Sequence, residues 1–263
     1  MSDFTSQVPA GGPELKGLSA VVTGSSHGIG RAIALELAAA GAHVLVHARQ
    51  SRGEAEKVAT LVRAGGGESQ VILSDLGDST THEPFVESAW NWRGGVDIWV
   101  NNAGADVLTG AAASWSFEQK LDVLLRVDVV ATIALARACG RRMQKRGSGS
   151  IINVGWDQAE HGLAGDSGEL FAATKGAIMA FTKSLARSLA PTVRVNCVAP
   201  GWIKTKWGDS APQHWQETAA RQSLLQRWGT AEDVAGAVRF LASPAARFIT
   251  ACVLPVNGGL KQA

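Results

Sequence analysis

Tyrosine is absent from this chain of 263 residues, and cysteine occurs only three times. Without tyrosine, no phenol is available to pass a proton to or from a substrate. Cys139, Cys197 and Cys252 are far apart and lie among apolar residues. This spacing does not match a metal site, and we expect buried, reduced thiols and no bound metal.

The chain also lacks a strong net charge and a long apolar run. Its formal net charge of +2 is too small to indicate binding to nucleic acid or an anionic membrane. No apolar run is long enough to span a bilayer. The first residues lack the basic and apolar regions of a signal peptide, so we expect a cytoplasmic location.

Short β-branched runs alternate with longer Ala/Leu-rich stretches. Strands that are apolar throughout and separated by helices are typical of a parallel sheet covered on both faces. We expect an α/β chain with one Rossmann-fold domain over residues 17–263, a doubly wound sheet of seven strands, and a flexible N-terminal tail over residues 1–16. The predicted strands are 18–24, 42–48, 69–75, 96–102, 150–155, 193–199 and 251–257.

The first predicted strand runs into a glycine-rich segment, TGSSHGIGRAIA at residues 23–34. Gly24, Gly28 and Gly30 allow a tight turn and let a pyrophosphate approach the N-terminus of the next helix. That helix end carries unpaired N–H groups and a partial positive charge. Since an ordinary tight turn can also be glycine-rich, this segment alone does not establish a cofactor site.

Four later segments accompany the turn: SDL at 74–76, NNAG at 101–104, FAATKG at 171–176 and APGWIKT at 199–205. In this order, the segments resemble the short-chain dehydrogenase/reductase (SDR) family, in particular members like the 3-oxoacyl-carrier-protein reductases. The resemblance extends from about residue 17 to 260. It implies hydride transfer between a nicotinamide and a carbonyl or alcohol substrate.

The resemblance also assigns cofactor contacts along the chain. In chain order, the assigned residues contact the pyrophosphate and adenosine ribose, then the adenine, then the part of the cofactor beside the fourth strand, and last the nicotinamide amide. For Asn102 and Pro200 a structural turn is an alternative that does not exclude cofactor binding. The assigned residues are Gly24, Ser26, His27, Gly28, Ile29 and Gly30, then Asp75 and Leu76, then Asn102, Ala103 and Gly104, and finally Pro200, Gly201, Ile203 and Thr205.

The second predicted strand ends in His47, Ala48 and Arg49, without the carboxylate that would bind both ribose hydroxyls and repel a 2′-phosphate. Arg49 can pair with a phosphate, and His27 occupies a place where the family often carries a basic residue. A solvated surface arginine is the alternative. We therefore favour NADP(H) over NAD(H).

The family's four catalytic positions are largely altered. Lys175, expected to bind the nicotinamide ribose, is present, but Phe171 stands in the tyrosine place, Trp156 in the serine place and Asp128 in the asparagine place. Asp128 could pair with Lys175. A phenyl ring has no proton to give, and an indole would fill part of the substrate space, so we expect ordinary family chemistry to be weak or absent.

A polar segment at 156–169, WDQAEHGLAGDSGE, could supply a replacement acid. His161 is the most plausible donor because imidazole is the side chain that ordinarily exchanges protons near neutral pH, but a solvated surface loop is the favoured interpretation. A shift of the loop that brings Ser167 inward is a further, less favoured alternative.

A substrate lid is expected at about residues 203–228. Several indoles of the lid and its surroundings could stack on a planar ligand, although core or interface packing is the plainer interpretation. By resemblance, the helix over 117–147 and the helix from Phe171 pair subunits in a homotetramer. The indoles are those of Trp156, Trp202, Trp207, Trp215 and Trp228.

Three functions stay open from the sequence. One is an NADP(H)-dependent oxidoreductase with a rebuilt acid or a substrate that needs none, such as an activated double bond. The second is a non-catalytic nucleotide-binding sensor or partner subunit. The third is a different reaction or ligand that uses the Asp128–Lys175 pair without hydride transfer.

Overall fold

The computed structural model describes residues 13–204 and 213–260. Within these ranges seven parallel strands form one sheet in the order β3-β2-β1-β4-β5-β6-β7. This arrangement confirms the doubly wound α/β Rossmann fold and places a switch of winding direction between the first and fourth strands. The strands are β1 (Ser19–Val22), β2 (His43–Ala48), β3 (Ser69–Leu73), β4 (Ile98–Asn101), β5 (Gly149–Val154), β6 (Val193–Pro200) and β7 (Val253–Val256).

Helices cover both faces of the sheet, which explains why the central strands are apolar throughout. In β1, Ala20 and Val22 face one hydrophobic core and Val21 faces the other. The helices are α1 (Gly28–Ala39), α2 (Arg52–Ala64), α3 (His82–Trp92), α4 (Phe117–Leu124), α5 (Thr132–Arg146), α6 (Asp166–Leu189), α7 (Gln213–Gln222) and α8 (Ala231–Ala242). The first core packs against α1, α2 and α8, and the second packs against α3, α5 and α6.

The long helix expected over 117–147 is continuous but not uniform. Between α4 and α5 the backbone forms a π-helical stretch, Leu125–Ala131. Such wide turns are frequently found at functional sites. This one carries Asp128, whose side chain is 2% exposed, toward the interior.

The structured domain begins earlier than the expected boundary at residue 17. Leu15, which was assigned to the tail, is fully buried, and its N–H donates to the Ala40 carbonyl oxygen at 2.9 Å. The Glu14 carboxylate lies 2.7 Å from the Arg239 guanidinium on α8. Residues 13–16 therefore belong to the packed domain because an apolar side chain anchors them; residues 1–12 lie outside the described ranges.

The two ends of the predicted lid are joined. A parallel bridge pairs Ile203 with Gly229, and the Gly229 N–H donates to the Trp202 carbonyl oxygen at 2.9 Å. Residues 205–212 lie outside the described ranges, and α7 follows them. The two chain ends that flank the predicted lid thus meet beside the end of β6.

All three cysteines are free, as expected. Cys139 and Cys197 are buried, and Cys252 is half-buried. Burial raises the pKa of Cys197 to about 12. None of the helices in the described part of the chain is long and apolar enough to cross a membrane.

Replacing Leu15 with alanine should lower the free energy of unfolding by about 2–5 kcal/mol, because it empties a fully buried site. Chemical denaturation of the purified protein measures this change. Leu61→Ala is the matched control, since Leu61 is 47% exposed and should change little. Equal stability of the Leu15→Ala variant and the wild type would contradict the assignment of residues 13–16 to the domain.

Candidate active site

A cavity of about 680 Å³ opens at the carboxyl ends of the central strands, where ligands bind in this architecture. Its wall combines the start of α1, the ends of β4, β5 and β6, and the start of α6. Several residues predicted from the sequence line it together: Ile29, Asn102, Trp156, Phe171, Lys175, Pro200, Gly201 and Ile203.

The glycine-rich turn leaves the N-terminus of α1 open. Gly24 and Gly28 adopt positive φ angles of +62° and +56°, which favour glycine. No side chain caps α1, and its first turn carries no acidic residue. The free N–H groups and the helix dipole therefore suit an anion such as a pyrophosphate.

Asn102 and Gly30 hold the turn against the end of β4. The Asn102 side-chain amide donates to the carbonyl oxygens of Thr23 and Gly24, at 3.0 and 3.1 Å. A Cβ on Gly30 would overlap that amide and the Gly24 carbonyl oxygen, and a Cβ on Gly24 would lie 2.9 Å from the Ala103 Cα. The glycines are required by close packing as well as by any bound ligand.

The predicted adenosine side is exposed. Arg49 follows β2 and makes no ion pair with any described residue, so its guanidinium is available to a phosphate. His27 is exposed, with its Nδ1 2.8 Å from the Ser26 hydroxyl. Asp75 accepts a hydrogen bond from the Gly77 N–H at 2.9 Å, and Leu76 is buried beneath it.

His47 is a residue of this side that the sequence did not single out for a role. It is 2% exposed, and its Nδ1 accepts a hydrogen bond from the Gly24 N–H at 2.9 Å. Its Nε2 therefore carries the proton and donates to the Ser74 carbonyl oxygen at 3.0 Å. Burial lowers the pKa of His47 to about 4. The sequence feature that could have indicated a role for His47 was a polar residue inside an otherwise apolar strand.

Lys175 and Asp128 form a buried ion pair beside the cavity. Their Nζ and Oδ2 atoms are 2.9 Å apart, and the side chains are 15% and 2% exposed. The second Asp128 oxygen accepts from the Ala105 N–H at 2.8 Å. A Cβ on Gly104 would lie 2.9 Å from the Asp128 Oδ2, so Gly104 makes room for the pair.

Trp156 and Phe171 meet in the wall of the cavity. Trp156 follows β5 directly, and Phe171 lies in the second turn of α6. Their ring centroids are 6.2 Å apart with an interplanar angle of 70°, an edge-to-face contact. Among the described residues that line the cavity, Ser167 carries the one hydroxyl.

The polar segment at 156–169 divides between surface and cavity. His161 is exposed and does not line the cavity, whereas Asp166 and Ser167 do. Asp157 is 5% exposed and accepts from the Asn257 amide at 3.1 Å. Burial raises the pKa of the Asp157 carboxyl.

A second aromatic pair lines the same cavity. The rings of Trp202 and Trp228 lie 5.9 Å apart at 63°, and the Trp202 indole N–H donates to the Gln222 amide oxygen at 2.8 Å. Thr205, Trp207 and the side chain of Trp215 lie outside what the structure describes.

The buried neutral His47 predicts a pH dependence of stability. Below about pH 6.5 the unfolded chain binds a proton on His47 that the folded chain does not bind until about pH 4, so stability falls as pH falls through this window. The free energy of unfolding falls by about 3 kcal/mol across this window. Denaturation at pH 7 and pH 4 should show this fall in the wild type and a smaller fall in His47→Gln.

His43→Gln is the matched control, since His43 begins the same strand and its ring accepts a hydrogen bond from the Glu68 N–H. Its stability should follow the wild-type curve. Parallel curves for the wild type and His47→Gln would show that His47 is not the titrating group.

Comparison with known proteins places these features in a family. A family model described as Enoyl-(Acyl carrier protein) reductase matches residues 24–261. The chain is 38% identical over 246 residues to "Dehydrogenase/reductase SDR family member 4" of Sus scrofa, covering 91% of this chain and 86% of that protein. It is 34% identical to the 3-oxoacyl-[acyl-carrier-protein] reductase FabG of Staphylococcus aureus, covering 92% and 97% of the two chains.

The fold has a close match among solved structures. A gluconate 5-dehydrogenase from Burkholderia cenocepacia J2315, crystallised with NADP and tartrate, superposes with a TM-score of 0.85 at 30% identity. The match covers 95% of this chain and 98% of that chain. The family model and these relatives match almost the whole chain, and the parallel sheet and glycine-rich turn agree with them. The chain therefore belongs to the short-chain dehydrogenase/reductase family of oxidoreductases.

Proposed function

We propose that this chain binds NADP(H) and that its ordinary carbonyl–alcohol hydride transfer is weak or absent. One observation carries the proposal. Trp156 and Phe171 contact each other at the positions where family members carry a serine and a tyrosine. The cofactor cradle keeps its parts, whereas the proton-transfer group is replaced by two apolar rings.

The cradle supports dinucleotide binding. The open N-terminus of α1 suits the pyrophosphate, and the Gly24–Asn102 contacts hold the turn beside the cavity. Lys175 lines the cavity, where its ammonium group could bind the nicotinamide ribose. The cofactor supplies hydride chemistry when it is bound; the protein's part is to hold and orient it.

Arg49 and the missing carboxylate favour NADP(H) over NAD(H). An exposed guanidinium without a described ion pair at the end of β2 can bind a 2′-phosphate bidentately. Ala48 and His47 before it carry no negative charge that would repel the phosphate. The structural relative from Burkholderia cenocepacia was crystallised with NADP, which fits this choice.

Ordinary carbonyl reduction should be slow because the negative charge that forms on the substrate oxygen has no proton donor. Hydride addition to a carbonyl places negative charge on oxygen, and losing a positioned acid costs about 10²–10⁴ in rate. Losing an oxyanion donor costs about 10²–10³, although such losses are seldom additive. Ser167 lines the cavity, but an aliphatic hydroxyl is a far weaker acid than the phenol of a tyrosine.

The same observation favours a second candidate, a non-catalytic nucleotide-binding sensor or partner subunit. A cradle that binds NADP(H) beside a cavity without a proton donor could report the cofactor without consuming it. A third candidate, a reaction that uses the Asp128–Lys175 pair without hydride transfer, would be favoured if neither dinucleotide bound.

We also propose a homotetramer and a cytoplasmic location, both on family resemblance. Leu125 and Val130, 42% and 49% exposed on the outer side of the stretch between α4 and α5, support the first. Exposed apolar side chains on one helix are suited to subunit contact.

Arg49→Ala should weaken NADPH binding by about 10- to 100-fold while leaving NADH binding unchanged, because it removes charge-assisted hydrogen bonds to the 2′-phosphate. Fluorescence titration of both cofactors measures the ratio. Arg52→Ala is the control, since Arg52 is exposed nearby and its nearest acid is Glu56 at 3.8 Å. An unchanged preference in Arg49→Ala would refute the assigned role.

The double variant Phe171→Tyr with Trp156→Ser should raise NADPH-dependent ketone reduction by at least about 10²-fold, because it restores the acid and an oxyanion donor. NADPH oxidation at 340 nm with a panel of ketones and aldehydes measures this rate. Phe248→Tyr, which adds a tyrosine at a fully exposed position, should change nothing. Rapid ketone reduction by the wild type would overturn the proposal.

A further inference from the structure

The charged side chains that line the cavity leave a negative excess. Lys175 and Asp166 are the two charged residues among the described lining, and the Asp128 carboxylate compensates the Lys175 ammonium at 2.9 Å. Asp166 lies in the first turn of α6 together with Glu169 and pairs with no described cation. The α6 dipole offsets part of this charge. An anionic substrate would thus be repelled and a cationic one attracted.

The aromatic side chains that line the cavity also favour a cationic ligand. Two edge-to-face pairs, Trp156 with Phe171 and Trp202 with Trp228, come from separate parts of the chain and line one cavity. Aromatic faces carry negative quadrupole density and attract cations, most strongly at tryptophan. Flat rings also provide contact area for a flat ligand. A planar cation satisfies both properties.

The altered chemistry indicates how such a cation could react. A hydride added to a neutral carbonyl creates an alkoxide, which needs the missing acid. A hydride added to the carbon of a C=N⁺ bond forms a C–H bond, and the π electron pair moves to nitrogen. A neutral amine results, and NADPH, having lost two electrons with the hydride, becomes NADP⁺. No proton donor and no oxyanion site are needed.

We propose that the cavity binds a planar iminium cation and that this chain reduces its C=N⁺ bond with NADPH. This inference rests on the proposed NADP(H) binding and names the substrate class of the same site. Trp156, which stands where family members offer a serine hydroxyl to a ketone oxygen, becomes a wall for the cation. The Asp166 carboxylate attracts the substrate electrostatically.

The test uses the purified full chain and two compounds of the same bicyclic shape. One is the permanent cation 2-methyl-3,4-dihydroisoquinolinium, and the other is the neutral ketone 1-tetralone. After subtraction of the reaction without enzyme, kcat/KM for the cation should exceed that for the ketone by at least about 10²-fold, the cost of a missing acid. Mass spectrometry of the amine product confirms the added hydrogen.

Two variants test the recognition. Asp166→Asn should lower kcat/KM for the cation by about 5- to 20-fold through KM, since it removes an attraction and leaves the hydride step alone. Trp156→Leu should lower it by about 2- to 30-fold, the range of a cation–π contact. Glu160→Gln is the matched control, because Glu160 is an exposed acid of the same segment that does not line the cavity.

The outcomes distinguish the iminium inference from the proposed NADP(H) binding on which it rests. Failure to bind NADPH in a fluorescence titration would overturn both. Binding of NADPH without reduction of the cation, or equal rates for cation and ketone, would overturn the iminium assignment and leave NADP(H) binding standing. A selective loss in Asp166→Asn with unchanged NADPH affinity supports the assignment.

Discussion

The Asp128 carboxylate and the Lys175 ammonium lie 2.9 Å apart at the wall of the cavity, and the carboxylate is almost fully buried. A buried charge without a partner would be costly, and the ion pair gives each of the two charges a partner. The π-helical stretch brings Asp128 inward, and the missing side chain of Gly104 makes room for it. Because the charges of Asp128 and Lys175 cancel, the net charge of the cavity depends on its other residues.

The described residues around the cavity divide into backbone groups that suit an anion and side chains that are mostly apolar. Peptide N–H groups at the start of α1 have no side-chain cap, and the Asn102 amide holds the glycine-rich turn beside them. In the function proposed above, Trp156 and Phe171 stand where family chemistry uses hydroxyls. A fold can keep its ligand geometry while its reaction changes, because the function depends on a few side chains and not on the sheet.

Much of the fold was predictable from local patterns. Alternating β-branched and Ala/Leu-rich segments predicted seven parallel strands with helices on both faces, and the structure confirms them. The tail boundary was wrong because one leucine, Leu15, is buried by residues that are distant in sequence. His47 was visible as a polar residue in an apolar strand, but its partners, Gly24 and Ser74, belong to other segments.

The sequence by itself determined the class of sheet, the glycine-rich turn and the absence of a phenol, because these depend on periodicity and composition. Only the tertiary structure decided which side chains share the cavity. It brought Trp156, Trp202, Trp228 and Asp166 into the lining of one cavity and left His161 outside it. Contacts such as Asp157 with Asn257, 100 residues apart, arise when the sheet brings strand ends together, and no local pattern encodes them.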